Sequence, residues 1–197
     1  MLDIYFFKSL LAVFFCGLSI KLMDDYLDRY LDKTSGKRTL AFELKQATLP
    51  YALLSFSLAV ALDYSSALSL FWASYILGMG YDYQKVLPTG LKSYQESLIL
   101  LLLGAYLLSF LEVISALGII LTIQLLDDLI DLKEDQLNYR NNFVYLLGKR
   151  QVVLLVLLLS TINIYLDFEK TIMVYLTAPL IVKLVEKEKK VGKGLVD

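Results

Sequence analysis

Runs of apolar residues alternate with short polar connections along almost the whole of this 197-residue chain. Stretches 46–62, 64–81, 97–111, 113–126 and 151–166 contain no Asp, Glu, Lys or Arg. Several approach the roughly 20 residues that a helix needs to cross a bilayer. The pattern predicts helices at about 4–33, 41–62, 64–82, 92–111, 113–135, 143–166 and 169–188. Polar breaks fall between them: Thr34-Ser35-Gly36 as a stop after the first, and Pro88-Thr89-Gly90 in the connection after the third. The expected fold class is therefore all-α, a polytopic transmembrane helical bundle of about seven helices around a central cavity open to the cytoplasmic side.

Composition supports a membrane setting. The chain is 57% hydrophobic with a mean hydropathy of +0.61, whereas soluble domains run at roughly 45–50% apolar. The short connections predict one membrane domain over residues 1–197, with a basic polar tail at 189–197 near anionic lipid heads. The net charge of −1 says little, because the charges are sorted by side. If the first helix runs inward, Lys8 and Lys170 alone among the 19 Lys and Arg lie toward the outer face. That bias puts the N-terminus outside and the C-terminus in the cytoplasm. The first apolar run continues into polar residues without a cleavage pattern, so no cleaved signal peptide is expected. With one cysteine, Cys16, and no histidine, an internal disulfide is excluded and a zinc site is disfavoured.

Two acidic segments carry the candidate chemistry. Residues 24–32 read DDYLDRYLD and residues 127–135 read DDLIDLKED. Both fit D-D-x-x-D-x-x-x-D, and each Asp of the first has a counterpart 103 positions later. The offset suggests related halves, about 1–100 and 104–190. On a helix, Asp25, Asp28 and Asp32 fall within about 60° of one another, as do Asp128, Asp131 and Asp135. One Asp at the centre of a membrane helix costs about 3 kcal/mol, so such rows call for neutralisation. Mg²⁺ suits carboxylate oxygens and keeps affinity for phosphates. Asp24, Asp25, Asp28 and Asp32 with Asp127, Asp128, Asp131 and Asp135 are therefore the candidate metal ligands, and a diphosphate is the ligand that Mg²⁺ between them would take. Both rows end on the same membrane side. The bland reading of either row alone is a charged helix end at the membrane surface. Lys21, one turn before Asp25, reads as its structural partner.

The third predicted helix ends in YDYQK, which spaces Tyr81 and Lys85 as Y-x-x-x-K on the same inner side. Alone, this reads equally as an interfacial tyrosine and a positive-inside lysine. Taken together, DDYLDRYLD, YDYQK and DDLIDLKED resemble, in order, the three motifs of the UbiA superfamily of intramembrane prenyltransferases. Gly36-Lys37-Arg38 resembles that family's basic loop after the first motif, and the LGKR of 147–150 resembles its entry into the next helix.

The resemblance implies Mg²⁺-dependent transfer of an isoprenyl group from a polyprenyl diphosphate to an aromatic or lipid-like acceptor. It implies that Tyr81 and Lys85 act in catalysis, and that Lys37, Arg38, Tyr81 and Lys85 bind substrate. Phe71, Trp72 and Tyr75 are candidates for an aromatic wall. Three departures stand out: Asp24 replaces the family's usual Asn, Thr39 its common Pro, and about seven helices stand where the family has about nine. Self-association is one way to close the opening that this leaves. The alternatives are a non-catalytic or degenerate family member and an intramembrane ion or lipid-phosphate transporter. No nucleic-acid partner is expected.

Overall fold

The computed structural model describes residues 2–29, 39–79, 82–132 and 142–185, and these are all-helical, with no β-strand. The elements are α1 (Leu2–Leu27), a short α2 (Leu40–Leu44), α3 (Thr48–Leu62), α4 (Tyr64–Met79), α5 (Ser93–Leu107), α6 (Phe110–Ile130), a short α7 (Phe143–Leu147), α8 (Lys149–Leu166) and α9 (Phe168–Val185). Among the described residues, Ile4–Leu27, Phe110–Ile130 and Lys149–Leu166 are long and apolar enough to cross a membrane. The expected second and sixth helices are each split near their start. Lys45, at φ 52°, ends α2, and Gly148, at φ 90°, ends α7. Positive φ at these points interrupts helical geometry, and only glycine adopts it without strain. The described part of the third helix runs to Met79.

Helices α1 and α6 are central. α1 packs on α3, α9 and α4, whereas α6 packs on α4, α8 and α5. Val13 and Cys16 of α1, Ala67, Leu70 and Ala73 of α4, Ala116 and Ile119 of α6, and Met173 and Val174 of α9 share one buried cluster. Small residues allow the close approaches. Ser19 Oγ donates to the Ala52 carbonyl at 2.8 Å and Ser55 Oγ to the Phe15 carbonyl at 2.8 Å, which stitches α1 to α3 in both directions. Between α6 and α8, Asn163 Nδ2 donates to Thr122 Oγ1 at 3.1 Å, and a Cβ at Gly118 would collide with the Asn163 amide.

Buried faces recur at fixed spacing. Ala12, Val13, Cys16, Ser19 and Leu22 of α1 are buried, and so are Ser115, Ala116, Ile119, Thr122 and Leu125 of α6, each 103 positions later. Ser66, Ala67, Ser69, Leu70 and Ala73 of α4 match Lys170, Thr171, Met173, Val174 and Thr177 of α9, each 104 positions later. At the end of the bundle away from the Asp rows, matched positions form matched polar knots. In the first, Ser9 Oγ and Ser66 Oγ donate to Asp63 Oδ2 at 2.8 and 2.9 Å. Burial alone would raise the Asp63 carboxyl, but these donors and the backbone N–H groups of Ser65 and Ser66 outweigh it and hold it below the ordinary carboxylate value. In the second, buried Lys170 pairs with Glu112, reaches Asp167 Oδ2 at 3.2 Å and donates to Ser69 Oγ at 3.5 Å. Glu112 belongs to α6, Ser69 to α4 and Lys170 to α9, so this knot fastens three helices.

Removing the ammonium of Lys170 leaves Glu112 and Asp167 without their cation. Lys170→Met is expected to destabilise the fold by about 3 kcal/mol, the lower end of the range for breaking a buried pair, since both carboxylates keep some solvent contact. Thermal unfolding in detergent measures this. The pair Lys170→Met with Glu112→Leu should recover part of the loss, and a wild-type midpoint in the single variant would show that the knot holds nothing.

Candidate functional site

Helical geometry carries each acidic row one step past its helix. The Asp28 N–H donates to the Asp24 carbonyl at 2.9 Å and the Asp131 N–H to the Asp127 carbonyl at 2.8 Å. Asp24 and Asp127 are exposed, Asp28, Asp128 and Asp131 are partly buried, and Asp25 is 3% exposed. Asp24 lies within electrostatic reach of Lys21, Asp25, Asp28 and, across on α6, Asp127. The structure thus brings the leading carboxylates of the two rows near each other. Asp32 and Asp135 lie outside the described residues, as do Lys37, Arg38 and Tyr81. Among the described residues, no three acidic or cysteine side chains converge tightly enough to enclose one metal ion.

The rows have unlike supports. On α1, Lys21 Nζ pairs with Asp25 Oδ1 at 3.1 Å, as the i, i+4 spacing predicts, and the Arg29 guanidinium sits over the Tyr26 ring at 5.1 Å. The positions matching Lys21, within α6, and Arg29, just past it, hold Gln124 and Leu132, which carry no charge, and Lys133 follows. There α7 takes over. The Phe143 N–H donates to Asp128 Oδ2 at 2.7 Å, Asn142 Nδ2 donates to the Asp128 carbonyl at 2.8 Å, and Tyr145 Oη donates to the Leu132 carbonyl at 2.6 Å. Sequence reasoning missed Asn142 and α7. Asn142 is an N-cap residue type before a short apolar run, but nothing in the sequence ties it to Asp128.

Lys85 stands apart from the helix on which it was expected. Beyond α4 the chain forms a tight hairpin: the Ser93 N–H donates to the Lys85 carbonyl at 2.9 Å, the Leu87 N–H to the Leu91 carbonyl at 2.8 Å, and Gly90 turns the chain at φ 81°. Glu96 pins the hairpin, accepting from Tyr75 Oη at 2.5 Å and from Thr89 Oγ1. Lys85 is exposed on this hairpin, so a shared helical face does not link it to position 81. Beside it, a cavity of about 300 Å³ opens between the end of α4, the hairpin and α5, lined by Ile76, Met79, Tyr83, Tyr94, Ser97 and Leu98 among others. Its walls are apolar and carry no Asp. Of the aromatic residues considered for a wall, Phe71 stacks on Phe56 with ring centroids 4.3 Å apart, Trp72 packs against Gly104, and Tyr75 is engaged by Glu96.

Crowded carboxylates at one end of α1 and α6 repel. Asp24→Asn is expected to raise the unfolding midpoint at low ionic strength, with the gain shrinking as salt screens the cluster. A lowered midpoint at low salt would show that Lys21 already balances Asp24. No family model, curated protein or solved structure matches the chain, so the reading of the site rests on its own chemistry.

Proposed function

We propose that this chain transfers an isoprenyl group from a polyprenyl diphosphate to an aromatic or lipid-like acceptor inside the membrane, with Mg²⁺ at the acidic rows. The supporting observation is the pair of matched Asp segments at the same end of α1 and α6, with Asp24 and Asp127 in electrostatic reach. Hard carboxylate oxygens in two sets would suit Mg²⁺ and a diphosphate together. Asp25, Asp28, Asp128 and Asp131 are the described residues that would hold the metal, joined by Asp24, Asp127, Asp32 and Asp135.

In this reading the allylic C–O bond breaks and its electron pair leaves with the diphosphate. The acceptor nucleophile closes on the allylic carbon and loses its proton, for which the released diphosphate is the nearest base. Bound Mg²⁺ would neutralise the carboxylates and stabilise the departing charge. Lys85, with Lys37, Arg38 and Tyr81, would add positive charge and hydrogen-bond donors to the leaving group. The apolar helices would shield the allylic cation from water. The wider topology belongs to the same proposal: seven crossings, N-terminus outside, acidic rows and C-terminus on the cytoplasmic side.

A transporter would need ionisable groups along its path. Among the described residues, the buried polar side chains along the helices between the two charged ends include Ser19, Ser55, Thr122, Asn163 and Thr177, all uncharged. That favours chemistry at one end over passage through the bundle. A non-catalytic role is the second reading, favoured by the lack of a tight three-carboxylate cluster among the described residues.

Labelled farnesyl or geranylgeranyl diphosphate, offered with Mg²⁺ and a lipid extract, separates the two readings. Product should form with wild-type protein, fall about 100-fold or more in Asp28→Asn and in Asp131→Asn, and disappear in excess chelator. Lys85→Ala should lower kcat more than it raises KM, because its charge is needed most as the diphosphate departs. No labelled product from any acceptor pool would leave the non-catalytic reading.

A further inference from the structure

The link between α4 and α5 builds a cavity that no acidic residue lines. Ile76 and Met79 of α4, Tyr83 of the hairpin, and Tyr94, Ser97 and Leu98 of α5 are among its walls. At about 300 Å³ it lies at the lower end of the range for ligand sites. Its walls are tied to one another. Val86 and Lys92 form an antiparallel bridge, and the Tyr94 N–H donates to the Tyr83 carbonyl at 3.2 Å, which joins the two tyrosines. Glu96 then accepts from Tyr75 Oη of α4 and from Thr89 Oγ1 at the hairpin tip. One carboxylate in the first turn of α5 thereby fixes the spacing of α4, the hairpin and α5.

The opening faces the apolar surroundings of the bundle. Tyr94 and Leu98 line the cavity yet are 49% and 55% exposed. Leu102 and Tyr106 follow at the same i, i+4 spacing and are also exposed. α5 thus carries an outward stripe about 18 Å long with a tyrosine at each end. Tyrosine favours the headgroup level of a bilayer and leucine its hydrocarbon. A short link joins α5 to α6, which it packs against and which is long and apolar enough to cross a membrane. A lipid chain lying on Leu102 and Leu98 therefore leads into the cavity, and its headgroup stands at Tyr94 and the hairpin.

There the hairpin supplies donors. Lys85 and Lys92 are exposed and, among the described residues, neither is held in an ion pair. Both Glu96 oxygens are already taken by hydroxyls, and Asp82 is the other acid of the segment. Each ammonium offers three N–H donors, which suits the phosphate of a headgroup.

We propose that the cavity takes one acyl chain of an anionic membrane phospholipid whose phosphate rests on the lysines of the hairpin. Lys92 has no part in the transfer reaction proposed above, so it reports on this site alone.

Native mass spectrometry of the full chain in detergent reads the binding, with dioleoyl phosphatidylglycerol as the probe. Dioleoylglycerol has the same chains without the phosphate, and glycerol phosphate has the head without the chains. The expected result is one phosphatidylglycerol per chain, bound well below the concentrations at which either fragment binds. Ser97→Phe, which places a ring in the cavity, should weaken binding about tenfold, as the loss of roughly two buried CH₂ groups would. Lys92→Gln should weaken it about fivefold, the worth of one lysine beside an anionic lipid. Lys149→Gln, at an exposed lysine of α8, should bind as wild type does. Unfolding midpoints without lipid show that each variant folds, and Ser97→Leu replaces Ser97→Phe if the larger ring prevents folding. Wild-type binding in the folded Ser97 variant, or dioleoylglycerol bound as tightly as phosphatidylglycerol, overturns the proposal. If farnesyl diphosphate displaces the bound lipid at lower concentration than phosphatidylglycerol does, the cavity serves a prenyl diphosphate and the phospholipid assignment is overturned.

Discussion

Charge in an apolar bundle is tolerated only at helix ends and beside a partner, and the architecture of this chain follows from that constraint. The polar groups in the buried middle of the helices are small and neutral. Ser19, Ser55, Thr122 and Asn163 satisfy themselves on a neighbouring carbonyl or hydroxyl, which draws α1 against α3 and α6 against α8. Charges collect at the two extremes. At one end Lys170, Glu112 and Asp167 neutralise one another within the protein. At the other, the acidic rows outnumber the cations on their own helices. The first end is closed by ion pairs within the protein, whereas the second gathers carboxylates in excess.

Much of this organisation was legible in the sequence because it depends on local pattern. Uncharged runs of helical length locate the long helices, and Lys21 to Asp25 is an i, i+4 pair that spacing alone predicts. What was hidden depends on chain reversal or on distant partners. The splits at Lys45 and Gly148 come from single residues at positive φ, which periodicity does not register. The first part of the hairpin, up to Lys85, was read as a helix end, because Tyr81 to Lys85 also fits helical spacing and the turn signal of Pro88-Thr89-Gly90 lies beyond it. Asn142 could be seen as a cap, but its bond to Asp128 spans 14 residues and a reversal of direction. Lys170 was read as a residue on the outer side. Nothing local shows that its partner is Glu112, which lies 58 positions away on another helix.

The repetition at 103 and 104 positions is informative because it is imperfect. Where positions match in type, they build packing: the buried faces of α1 and α6 are interchangeable in character. Where they differ, charge differs. Ser9 and Ser66 become Glu112 and Lys170, so a hydrogen-bonded knot becomes an ion-paired one. The extra charges come as a pair, as burial requires. In the acidic rows the change runs the other way: Lys21 and Arg29 are replaced by Gln124 and Leu132, while Lys133 stands for Tyr30 and Glu134 for Leu31, so the second row has one cation fewer and one carboxylate more.

That second change is not paired within α6. One cation fewer beside one carboxylate more raises repulsion in the row and destabilises it unless something else compensates. The N–H of Phe143 and the amide of Asn142 compensate in part, by hydrogen bonding, and contribute no charge. Hydrogen bonds of this kind fix the geometry of Asp128 and tie it to the start of α7. The two rows thus match in their Asp residues and differ in what the chain sets beside them, an ion pair within α1 and the cap of α7 against the end of α6.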